Sequence, residues 1–75
     1  MHPLLGKIVA VMGANYIYTG ELLSVTMDTV VIKDPRLIYE TGLWTDKQWK
    51  DAQKMPTDAM YIERSGIEGM FEVKK

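Results

Sequence analysis

Cysteine is absent from the 75 residues, so neither a disulfide nor a thiolate metal site can staple this chain. Histidine occurs once, as His2, and a lone imidazole has no partners with which to build a metal centre. No apolar run approaches the ~20 residues that a membrane helix needs. No charged-then-apolar leader with a small-residue cleavage site is recognisable. Neither sign of charge dominates: 9 basic and 10 acidic residues leave a formal net charge of −1. That balance excludes a globally basic nucleic-acid binder and requires any such site to be local. Ser/His/Asp sets, glycine-rich phosphate loops and ligand clusters are missing too, so we expect no enzyme, no metal and no cofactor. The expectation is a single cytoplasmic domain spanning 1–75. Such a short chain buries only about 60% of its unfolded surface. With disulfides and metals excluded, oligomerisation is the remaining way to supplement a marginal core.

What is present is β-rich. Residues 7–12 (Lys-Ile-Val-Ala-Val-Met) are apolar and β-branched, and Gly13, Ala14 and Asn15 suit a short hairpin loop. Residues 16–26 form a second predicted strand with Gly20 inside it. An interior glycine weakens a strand and marks a bulge, a bend or a close backbone approach. Both faces of this strand carry apolar residues, which fits either a reversal of facing at Gly20 or contact with a neighbouring subunit. Met27, Asp28 and Thr29 form the next turn, residues 30–34 a third strand, and Pro35 its end. Residues 1–6 allow at most one helical turn.

Residues 36–58 break the strand rhythm. Thr45 and Gln48 fit a capping box, Trp44 and Trp49 fall at the hydrophobic-staple positions, and Asp46 and Lys50 are spaced to pair. These signals predict a short helix over 46–54, stopped by Pro56, with Lys47, Lys50 and Lys54 on one face. A fourth strand over 59–64, a tight turn at Ser65 and Gly66, and a fifth strand over 67–73 complete a closing hairpin.

Residues 7–34 resemble the first sequence motif of the Sm-like (LSm) family, which includes the bacterial Hfq branch. The resemblance is carried by the apolar strand over 8–11, Gly13, Tyr18, Gly20, Leu22, Val25, the turn at 27–29, the apolar strand over 30–32 and Asp34. Residues 59–73, centred on Arg64, Ser65, Gly66 and Ile67, resemble the shorter second motif. Thr26 stands where the family usually has aspartate, and Thr29 near a position usually held by asparagine. The resemblance implies a mainly β fold: a five-stranded, strongly bent antiparallel SH3-like open barrel. The predicted helix is then an insertion between the third and fourth strands.

The resemblance also implies a function. In the family the fourth strand of one subunit pairs with the fifth of the next, which closes a homo-oligomeric ring of about five to seven subunits. Residues 59–64 and 67–73 would make that contact. Single-stranded RNA would lie against Met27, Asp28 and Thr29 and against Arg64, Ser65 and Gly66. Arginine can stack on bases or fork to phosphate, whereas Asp28 repels phosphate. The alternative is a protein-interaction or scaffold ring that has lost RNA binding, as the near-neutral charge and the two threonines suggest. Tyr16, Tyr18, Tyr39 and Tyr61 serve base stacking on the first reading and ordinary strand packing on the second.

Overall fold

Six strands form in the computed structural model, which describes residues 2–74. They are β1 (Ile8–Gly13), β2 (Ile17–Val25), β3 (Thr29–Glu40), β4 (Asp51–Lys54), β5 (Ala59–Glu63) and β6 (Ile67–Glu72). All ladders are antiparallel, in the order β4-β3-β2-β1-β6, with β5 also on β3. The long β3 serves two neighbours away from β2. Its first half pairs with β5, from Thr29↔Glu63 to Lys33↔Ala59, and its second half with β4, from Arg36↔Lys54 to Glu40↔Asp51. The sheet is open.

Val9, Val11, Leu22, Val30 and Ile32 make the fully buried core. Strand alternation puts them on one face. Leu4 and Leu5, carried on a turn closed by the Leu5 N–H on the His2 carbonyl (3.2 Å), pack against one side of it. Met60 and Ile62 reach it from β5, and Ile67 and Met70 from β6. Burying each large aliphatic side chain contributes roughly 1.5–3 kcal/mol.

The opposite face is also covered. Ala10 alternates with Val9 and Val11, so it points the other way, yet it is fully buried, as is Thr19 beside it. The Thr19 hydroxyl satisfies itself by donating to the Val9 carbonyl at 2.9 Å. Phe71 lies across from Ala10, and the Trp44 ring packs on Phe71 with centroids 6.0 Å apart. Residues 41–50 therefore fold back over the outer face of the sheet, with Trp49 edge-on to Trp44 at 6.0 Å.

Four expectations are corrected by this architecture. The helix over 46–54 does not form: residues 51–54 are β4, and the preceding residues are turns. A helix of nine residues is marginal in water, whereas the β3 edge over 36–40 offers backbone partners to alternate residues of a chain laid along it. Asp46 contributes to a turn instead, its Oδ2 accepting from the Leu43 N–H at 3.0 Å. Lys50 pairs with Glu40 at 3.2 Å rather than with Asp46, and the lysines share no helical face. The strand count is accordingly six rather than five.

Second, Pro35 does not end β3. It sits, fully buried, in a bulge where Asp34 takes a left-handed φ of 51° and the register slips opposite Gly20. Proline lacks only the donor, and its carbonyl still accepts from the Met55 N–H at 2.9 Å. Third, the last two strands are not a hairpin. The one-turn 3-10 segment Arg64–Gly66 sends β5 to β3 and β6 to β1, on different edges. Fourth, Gly20 does not reverse the facing of β2, because Tyr18 and Leu22 on either side both pack into the core. The reversal comes at a second bulge, where Leu23 is skipped between Leu22↔Ile32 and Ser24↔Val31 and Val25 turns inward. Gly20 serves a close backbone approach: a Cβ there would lie 2.7 Å from the Lys33 carbonyl oxygen.

Candidate functional site

The turn between β2 and β3 is built around Thr26. Its N–H donates to the Thr29 carbonyl at 2.8 Å, and its hydroxyl oxygen accepts from the N–H groups of Asp28 (3.3 Å) and Thr29 (3.0 Å). A threonine hydroxyl thus accepts the backbone bonds that a carboxylate could accept at the same place. Met27 is left at the tip, 90% exposed.

Because β5 runs antiparallel to the start of β3, Glu63 lies opposite Thr29 and Arg64 follows at the turn. Arg64 clamps the two segments. Its N–H donates to the Asp28 carbonyl at 2.9 Å, and its guanidinium Nη1 donates to the Thr26 carbonyl at 2.8 Å. Met27, Asp28, Thr29, Arg64 and Ser65 line one shallow depression of about 800 Å³ together with Glu63. Five of the six expected site residues therefore converge from separate parts of the chain.

Gly66 lies apart from them. It lines a smaller recess of about 180 Å³ with Val11, Gly13, Asn15, Tyr16 and Tyr18, next to the turn between β1 and β2. The Tyr16 and Tyr18 rings meet there, tilted, at 6.3 Å.

The electrostatics of the main depression are mixed: the carboxylates of Asp28 and Glu63 flank the single guanidinium of Arg64. Arg64 keeps donors beyond the one committed to Thr26, since guanidinium carries five. The exposed thioether of Met27 offers a flat apolar contact. Such a surface can take a stacked base and one phosphate, or a peptide backbone. Among the described residues, no group of three or more His, Asp or Glu side chains could hold a metal ion. No helix among them is long and apolar enough to cross a membrane.

Sequence reasoning missed two features. Thr26 is the keystone of the turn; a hydroxyl residue three positions before the strand resumes is the signal that could have shown it. A second depression of about 730 Å³ lies beside Gly20 and gathers Lys33, Arg36, Lys47 and Lys50 with Glu21, Asp34 and Asp51. These charged residues come from β2, β3, β4 and the 41–50 segment, so no local motif announces it. Comparison of the chain with family models, curated proteins and solved structures returned no match.

Proposed function

We propose that this chain is an Sm-like subunit that assembles into a homo-oligomeric ring and binds single-stranded RNA at the converged turns. The bent, SH3-like open barrel is part of the same reading, as is a cytoplasmic setting. The observation that carries it is the strand order, with β5 and β6 at separate edges of one bent antiparallel sheet and the Arg64–Gly66 segment running between them. Among the described residues β5 ladders only with β3 and β6 only with β1, which leaves backbone groups on their outer sides for a further strand. Pairing β5 of one copy with β6 of the next satisfies both and repeats head to tail until the ring closes. Identical turns are then gathered round one axis, so a weak contact at each becomes a useful affinity in sum.

Light scattering tests the assembly. The expected mass is several times 8.6 kDa, and a monomer at micromolar concentration would end the ring reading. Fluorescence anisotropy with U-rich, A-rich and mixed single-stranded RNA at low salt tests the ligand. Binding should weaken as salt rises, because phosphate contacts release counterions. It should also weaken several-fold in Met27→Ala, which leaves the Arg64 clamp intact, and in Arg64→Ala.

A second reading is favoured by a specific observation. Arg64 is already bonded to the Thr26 carbonyl and is outnumbered by Asp28 and Glu63. A ring without RNA affinity, acting as a protein scaffold, fits that geometry. Unchanged anisotropy with all three RNAs alongside an intact oligomer would select it.

A further inference from the structure

Residues 41–50 bring three aromatic rings together on the outer face of the sheet. Trp44 meets Trp49 at a centroid distance of 6.0 Å with the planes at 85°, and meets Phe71 at 6.0 Å and 73°. Rings set nearly perpendicular at that spacing stand as adjoining walls, not as a stack. They line a cleft of about 500 Å³ with Met12 and Val73. Trp44 keeps 56% of its surface exposed, and Trp49 and Phe71 are half-buried, so ring surface stays open to a ligand. Four charged residues border the same cleft: Asp46, Lys47, Glu72 and Lys74. They balance in number but not in placement. Asp46 is held at the cleft, because its Oδ2 accepts from the Leu43 N–H at 3.0 Å. Lys47 and Lys74 are exposed and form no ion pair among the described residues, and lysine carries its charge out into water on a long flexible stem. The charge with a fixed place is therefore negative.

We propose that this cleft is an aromatic cage for a methylated ammonium group. The occupant is a cation because ring faces carry the negative part of the aromatic quadrupole and the pinned Asp46 carboxylate adds a full charge beside them. An anion would meet both unfavourably, and a neutral group would gain from neither. The cation is methylated because three rings, Met12 and Val73 offer it few acceptors. A plain ammonium entering there would give up hydrogen bonds to water from its donors, whereas N-methyl groups have none to lose and pack against the rings. The volume lies within the range of small-ligand clefts. The group arrives on a free small molecule or on a methylated lysine of a protein, and its chemistry at the cage is the same. None of these residues belongs to the converged turns, so the cage stands independently of the RNA and ring readings.

Both tryptophans of the chain line the cleft, so intrinsic fluorescence of the full chain reports its occupancy. The probes are tetramethylammonium, choline and the neutral tert-butyl isostere of choline, titrated at matched ionic strength. Both cations should give a saturable change in emission, and the isostere should bind roughly tenfold more weakly. Asp46→Asn keeps an oxygen for the Leu43 N–H and removes the charge; it should weaken choline several-fold and leave the isostere unchanged. Trp44→Leu should abolish binding, and if that variant loses the wild-type circular dichroism spectrum, the isostere and Asp46→Asn still decide. A trimethyllysine peptide compared with choline identifies the source: the tighter binder names it, and either supports the cage. Emission that does not saturate with either cation overturns the proposal. Equal affinity for the isostere overturns it too, leaving a plain apolar cleft, as does a nucleoside monophosphate that binds more tightly than choline.

Discussion

At Gly20 the demand on the residue is steric. A Cβ would meet the Lys33 carbonyl oxygen at 2.7 Å and the Ile32 Cβ at 3.2 Å, and neither is the yielding end of a flexible side chain. Gly20→Ala should therefore destabilise the fold by about 1–3 kcal/mol, the usual cost of overpacking, read as a lower urea midpoint with an unchanged m-value. Its neighbour Thr19 is a polar group buried with a partner, and Thr19→Val should cost about 1 kcal/mol through loss of the bond to the Val9 carbonyl. Asp28→Asn acts on function: removing a carboxylate from the depression should raise RNA affinity at low salt, and an unchanged or lower affinity would argue against phosphate lying there. Gly20 was legible because a glycine inside an apolar strand weakens it, and a close backbone approach is one of the few geometries that require it. The reversal of facing at Leu23 was not, because a bulge between ordinary residues leaves no mark in composition.

The element that sequence signals described least well is the stretch between β3 and β4. Its capping box and staple spacing are real, and the staple tryptophans do meet, edge to face, without a helix between them. The local preference lost because nine helical residues gain little alone, while the open edge of β3 offers a ladder to any chain that lies along it. Gly42 makes the return possible. Its φ of +71° suits glycine, and a Cβ there would lie 2.9 Å from Asp46 Oδ2. Gly42→Ala should cost about 1 kcal/mol. It should also loosen Trp44 from Phe71, seen as a red shift of tryptophan emission larger than the loss of stability alone produces.

At the scale of the whole molecule, the sheet is open and its core is one-sided except where residues 41–50 cover the outer face. Tyr61 on β5, and Trp44 and Leu43 in the 41–50 segment, stand exposed. On the ring reading proposed above, assembly should raise thermal stability: the unfolding midpoint should climb with protein concentration, as it does when the folded state alone associates. A midpoint independent of concentration would indicate that the free edges stay free.

The residues by themselves determined the β character, the positions of most strands and the special demand at Gly20. Periodicity and turn chemistry are local, so they survive without knowledge of partners. Tertiary structure alone decided that β3 continues through Pro35, that residues 51–54 extend a sheet instead of a helix, and that Arg64 clamps Thr26. It also separated β5 from β6. Each of these depends on a backbone group finding a partner far along the chain, and the free energy of that pairing is absent from any short window of sequence.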